Sequence, residues 1–203
     1  MTEWHFYEPA RGHGLPHDPF NAIVAPRPIG WISTLSAAGV ANLAPYSFFN
    51  ALNYHPPLIG FASVGHKDSL TNAEATGEFV WNLATRDLAE AMNATSAMVA
   101  ASVDEFALGD LATAPSRLVA PPRVAASPVS FECKVTQIVR LTTKEGTDTD
   151  SWFVIGEVVG VQIDTAMLED GVYQTARARP ILRGGGPTDY FEVGERFGMR
   201  RPG

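Results

Sequence analysis

Apolar and polar positions alternate in short runs along much of this chain, and Gly, Pro and Asn separate the runs. Val129, Phe131, Cys133 and Val135 alternate with Ser130, Glu132, Lys134 and Thr136. A period of two places the first set on one face of a strand and the second on the other, which predicts a half-buried strand. Residues 29–35, 58–64 and 78–83 are apolar runs of strand length. Ala37, Ala38 and Gly39 form a hairpin turn, with Gly39 free to take positive φ, and residues 40–44 form the returning strand. Residues 45–53 hold Tyr46, Phe48 and Phe49 without a clean period and read as irregular. Pro56 and Pro57 end them, since neither can donate to a ladder. Residues 142–150 read as a polar hairpin loop. Residues 152–163 are apolar on both alternations, which predicts a strand covered on both faces, by helices or by a second subunit.

Helix signals are short and lie between the strands. Asp68 or Ser69 can cap a helix that Gly77 ends, and Thr71 with Glu74 has capping-box spacing. Thr85 can cap a second helix over residues 86–94. Ser102 with Glu105 opens a third, which Gly109 can stop. The Pro-rich residues 114–128 form a connector inside the domain. Residues 1–19 read as an N-terminal arm, 20–190 as one domain and 191–203 as a tail. Strands do not alternate strictly with helices, so the pattern predicts a mainly β protein: an antiparallel barrel, closed or partly open, with a few added short helices.

Composition narrows the chemistry. The chain has 203 residues with 15 Lys plus Arg against 22 Asp plus Glu, a formal net charge of -7. That balance argues against a nucleic-acid partner, which needs a basic face to displace counterions. The single cysteine, Cys133, excludes an internal disulfide and a Cys-based zinc site. On the apolar side of its strand it reads as a buried, inert thiol. The five histidines form no tight ligand pair, so no metal is expected. The first residues carry acidic groups and no apolar core of signal-peptide length, so a cytoplasmic protein is expected.

From Pro28 to His66 the chain carries no Asp, Glu, Lys or Arg. Ser, Thr, Asn and Pro interrupt any run long enough to cross a membrane, so no membrane is expected. The stretch reads either as buried strands with a turn or as the wall of a flat, neutral ligand with polar edges. After it, Lys67-Asp68-Ser69-Leu70-Thr71-Asn72 follows a strand and opens a helix. Unpaired N–H groups at a helix start, with Lys67 beside them, suit a phosphate; an ordinary capped surface helix is the alternative. Ser33 and Thr34 are adjacent, so only one of them can face a given pocket by its side chain. Phe49 or Tyr46 could cover a planar ring or simply fill the core. The late arginines Arg177, Arg179, Arg183, Arg196, Arg200 and Arg201 belong to a solvated terminal segment or reach phosphates across a subunit boundary. No HExxH, GxSxG, Walker A or GxGxxG motif occurs.

Three elements in order carry a resemblance: Arg27-Pro28-Ile29-Gly30-Trp31-Ile32-Ser33-Thr34, then Asn42-Leu43-Ala44-Pro45-Tyr46-Ser47-Phe48-Phe49-Asn50, then Lys67-Asp68-Ser69 with Asn72. Together with Arg183-Gly184-Gly185 and Tyr190, they resemble the flavin reductase-like family. The resemblance implies an FMN-binding split barrel acting as a homodimer, with flavin near the subunit boundary and NADH or NADPH as co-substrate. It implies that Ser33 and Thr34 flank the flavin. Asn42, Ala44, Pro45, Ser47, Phe49 and Asn50 would line its ring and ribityl chain, and Lys67, Asp68, Ser69 and Asn72 its phosphate. Hydride would pass from nicotinamide to flavin N5 without a required side-chain acid or base, so no catalytic residue is named. A Gly-Asp-His motif that some members link to nicotinamide binding is absent here. That departure supports an alternative, a non-catalytic FMN-binding or electron-carrying flavoprotein. A barrel-type dimer binding some other planar molecule is a third reading.

Overall fold

The structure is a computed structural model that describes residues 2–203. Helix α1 (Phe20–Ile23) precedes strands β1 (Arg27–Pro28), β2 (Gly30–Leu35), β3 (Ala41–Tyr46), β4 (Phe49–Asn53) and β5 (Leu58–Val64). Helix α2 (Asp68–Thr76) leads to β6 (Glu78–Asn82), then to α3 (Ala89–Ala94) and α4 (Glu105–Leu108). The short pair β7 (Thr113–Ala114) and β8 (Arg123–Val124) comes before the long β9 (Val129–Thr142) and β10 (Asp148–Ile163). The chain continues through β11 (Leu168–Glu169), β12 (Val172–Tyr173), β13 (Ile181–Arg183) and β14 (Tyr190–Glu192). Among the described residues, no helix is long and apolar enough to cross a membrane.

Seven strands form one antiparallel sheet in the order β3-β2-β6-β9-β10-β5-β4. Its two edge strands, β3 and β4, are consecutive in sequence and joined only by Ser47 and Phe48. A two-residue link can join opposite edges only if the sheet curls until they meet. The result is a mainly β split barrel with a few short helices, open between β3 and β4. Its interior holds Ile32, Phe61, Leu70, Phe79, Cys133 and Val154. A second core, with Trp31, Leu43, Met92, Phe106 and Val124, lies under α3 and α4. Trp31 and Ile32 point to opposite sides of β2 and are both 0% exposed, so this strand is covered twice.

The structure corrects several expectations. Residues 45–53 are not irregular: β3 runs through Pro45, and β4 begins at Phe49. Pro45 is tolerated because β3 is an edge strand, where a missing N–H breaks no ladder bond. Within the chain, the described residues cover only one face of β10 fully. Val154, Gly156 and Val158 are buried, whereas Phe153, Ile155 and Glu157 on the other face are half-buried. The helices α3 and α4 pack on the β2–β3 side instead. Ser130 and Glu132, read as solvent-facing, are both buried because the 114–128 connector folds over them. Glu132 accepts from the backbone N–H groups of Arg117 and Leu118 and from the Gln162 amide. Cys133 is buried as expected, and burial, then the Glu132 charge, pushes its thiol far above the ordinary range.

The helix caps also differ. Gly77 ends α2 in the left-handed region at φ 70°, as its sequence position implies. Neither Asp68 nor Ser69 caps the start; the N-cap residue is Lys67, without a side-chain cap bond. Thr85 occupies an N-cap position but makes no cap bond. Asp104, not Ser102, caps α4 by accepting from the Phe106 N–H at 2.9 Å. Thr71 and Glu74 do not form a capping box; both hydrogen-bond to His66, at 3.2 and 3.0 Å.

Candidate functional site

A cavity of about 440 Å³, a volume typical of small-molecule sites, lies beside edge strand β3. Asn42, Ala44, Pro45, Tyr46, Ser47 and Phe48 form one wall, from β3 and its link to β4. Lys67, Asp68 and Ser69 at the start of α2, Ala62 and Val64 of β5, and residues 95–99 with Glu105 complete the lining. A second cavity of about 270 Å³ shares Pro45, Tyr46, Ser47 and Ser96 and extends to Arg183 and Tyr190. Another cavity of about 440 Å³ lies beside α3. Its Arg86 is already paired with Glu192 at 3.4 Å.

A buried polar network sets the chemistry of the first cavity. The antiparallel register puts Thr34 on β2 opposite Asn42 on β3. The Thr34 hydroxyl donates to Asn42 Oδ1 at 3.2 Å, and the Ser69 hydroxyl donates to the same oxygen at 2.7 Å. Asn72 Nδ2 donates to Thr34 Oγ1 at 3.1 Å. Thr34, Asn42, Ser69 and Asn72 are all buried. Two donors on one oxygen fix which end of the Asn42 amide is which. Its NH₂ group has no protein partner among the described residues and lies at the cavity wall.

The start of α2 adds further donors. The Leu70 and Thr71 N–H groups bond to the Lys67 carbonyl, while those of Asp68 and Ser69 have no backbone partner among the described residues. Lys67 is exposed and makes no ion pair among the described residues. Asp68, half-buried beside it, supplies the opposing charge. This end therefore combines a cation, free N–H groups, the positive end of a nine-residue helix and the Asn42 amide. Such a cluster has the chemistry to receive an anion with oxygen acceptors, such as a phosphate.

The sequence-predicted residues divide into three groups. Asn42, Ala44, Pro45, Ser47, Lys67, Asp68 and Ser69 border the cavity. Thr34 and Asn72 stand behind Asn42 and orient it. Ser33, Phe49 and Asn50 direct their side chains elsewhere. The Ser33 hydroxyl donates to the Pro122 carbonyl at 2.6 Å, as expected if only one of Ser33 and Thr34 can face the pocket. Phe49 stacks on Trp81 with centroids 5.6 Å apart, and exposed Asn50 accepts from the Ala51 N–H. Besides Tyr46, the aromatic residue lining the cavity is Phe48, with the Arg27 guanidinium 5.6 Å from its ring centre. Tyr46 cannot lay its ring over a ligand, because the ring packs in the core 4.7 Å from that of Phe61.

Sequence reading missed three contributors. Residues 95–99 carry no motif. Glu105 was legible only as part of a capping box. Buried Arg27 was legible only as part of a family motif, yet it clasps four carbonyls: Ser47, Asn21, Val24 and Gly184. It thereby ties the β3–β4 link to both terminal segments. Burial, then the nearby Arg183 charge, lowers the Arg27 pKa.

The chain is similar to known proteins over most of its length. An uncharacterized protein of Halalkalibacterium halodurans is 37% identical over 185 residues, covering 88% of this chain and 87% of its own. Nitrilotriacetate monooxygenase component B from Bacillus cereus superposes with a TM-score of 0.82 at 29% identity, covering 89% of this chain and 90% of that one. The 2-nitrobenzoate 2-nitroreductase NbaA of Pseudomonas fluorescens superposes with a TM-score of 0.79 at 28% identity, covering 90% and 88%. Residues 24–182 match the flavin reductase like domain, so the chain belongs to that family.

Proposed function

We propose that this protein is an FMN-dependent oxidoreductase that accepts hydride from NADH or NADPH. The observation that carries the reading is the Asn42 amide, fixed by Thr34 and Ser69 beside Lys67 and the open first turn of α2. When bound, FMN supplies a ring that takes up hydride at N5. Lys67 and the N–H groups of Asp68 and Ser69 would hold its phosphate, and the Asn42 amide would donate beside it. Ala44, Pro45 and Ser47 would border the rest of the molecule, Ser33 and Thr34 would contribute through backbone and support, and Phe48 would give an apolar wall. Residues 95–99 would limit access of water to the cavity. The two similar solved proteins whose names denote a monooxygenase component and a nitroreductase support redox chemistry.

Fluorescence titration with FMN, followed by stopped-flow mixing with NADH or NADPH, tests the reading. Saturable binding and rapid bleaching of the flavin are expected. A protein that binds FMN but is bleached by neither nucleotide would instead be an electron carrier. A protein that binds no FMN would overturn the reading.

We further infer that the chain works as a homodimer. Phe153 on β10 lies over Gly60 of β5, beside Leu52, which is 44% exposed, and Val139, which is 43% exposed. Among the described residues this apolar face of the barrel has no covering layer, and a second copy would supply one. Light scattering at micromolar concentration should give the dimer mass; a monomer mass would count against it. A single buried thiol and a nicotinamide-linked activity both suit the cytoplasm.

A further inference from the structure

Glu105 is the first residue of α4 and is only 4% exposed. Asp104 provides the cap, so Glu105 is free to turn inward. Its Oε2 accepts from the Leu43 N–H at 3.2 Å, on the outer edge of β3. No ion pair involves it among the described residues. Its second oxygen has no protein partner among them, and the side chain borders the same cavity as Asn42, Lys67 and Ser69. A carboxylate has about four acceptor positions, and a buried one with a single long bond is poorly satisfied.

The chemistry of that group restricts its ligand. An ionised carboxylate only accepts hydrogen bonds, so it calls for a donor, and it repels a phosphate. The donors at the start of α2 suit the anion, whereas Glu105 suits neutral hydroxyls. A flavin nucleotide carries both, with its hydroxylated chain lying between ring and phosphate.

We propose that Glu105 is the polyol acceptor of this cavity, receiving a hydrogen bond from a hydroxyl of the ligand's ribityl chain and so selecting flavins that carry that chain. This rests on the flavin reading above. Riboflavin and lumiflavin provide the test, because both lack phosphate and only riboflavin has the ribityl chain. The wild-type protein should bind riboflavin more tightly than lumiflavin in a fluorescence titration. Glu105→Gln should weaken riboflavin binding about ten- to a hundred-fold and leave lumiflavin unchanged. Glu105→Asp, which keeps the charge but withdraws it by one methylene, should show the same selective loss. Equal effects on the two ligands, or no effect of either variant on riboflavin, would overturn the proposal. FMN binding with no wild-type preference for riboflavin over lumiflavin would overturn it alone, whereas binding of neither FMN nor riboflavin would overturn the flavin reading as well.

Discussion

The Ser69 hydroxyl at the start of α2 donates to Asn42 Oδ1 on β3 at 2.7 Å, across the opening of the barrel. This bond joins a helix terminus to an edge strand and holds the amide in the orientation the cavity uses. Ser69→Ala would leave Thr34 as the remaining donor to that oxygen and free the amide to turn. We predict about a ten-fold loss of FMN affinity with little change in thermal midpoint, read by fluorescence titration and calorimetry.

Lys67 is the exposed cation beside that turn. Lys67→Ala should weaken FMN binding and leave riboflavin binding unchanged, because riboflavin has no phosphate for the ammonium to meet. Added salt should narrow the difference between wild type and variant, since an exposed charge is screened. Equal FMN affinity in the two proteins would remove the phosphate role of Lys67.

The Tyr46 hydroxyl is fully enclosed and has no hydrogen-bond partner among the described residues, since the Ser63 and Ser69 hydroxyls donate instead to the Gly65 carbonyl and to Asn42 Oδ1. Burial, the largest influence, raises its pKa. An enclosed, unpaired donor costs on the order of 1–3 kcal/mol. Tyr46→Phe removes the hydroxyl while keeping the ring against Phe61, so it should raise unfolding stability by about 1 kcal/mol in urea titrations.

Gly156 of β10 leaves room for the Phe79 ring: a Cβ there would stand 2.6 Å from Phe79 Cζ. The ring is fully buried and has little room to retreat. Gly156→Ala should destabilise by about 1–3 kcal/mol, the usual cost of overpacking. An additional Phe79→Leu substitution, which relieves the clash, should make the two changes non-additive.

Glu132 links pH to the connector. Burial raises its pKa, but the Arg117 and Leu118 N–H groups and the Gln162 amide together outweigh that effect and hold the carboxyl below its usual range. A lowered folded pKa means its contribution is complete above the unfolded value, about 4.3 for Glu. That contribution falls away as the pH drops from there through the folded value. Urea midpoints between neutral and acid pH should decline over this range, and less steeply for Glu132→Gln.

Local pattern alone determined most of the strands and the phosphate-ready start of α2, because period-two alternation and helix-end chemistry act over a few neighbouring residues. The 58–64 run is β5, and Gly77 ends α2 as its position implied. The family motifs brought together seven cavity-facing residues but could not divide Ser33, Phe49 and Asn50 from the rest, since side-chain direction depends on pleat and register. Only the tertiary structure decided that Ser69 turns from capping to Asn42, that Glu105 faces the cavity, and that the connector buries Ser130 and Glu132. Each of those outcomes depends on a partner distant in sequence, made available when the sheet curls and brings β3 against the start of α2.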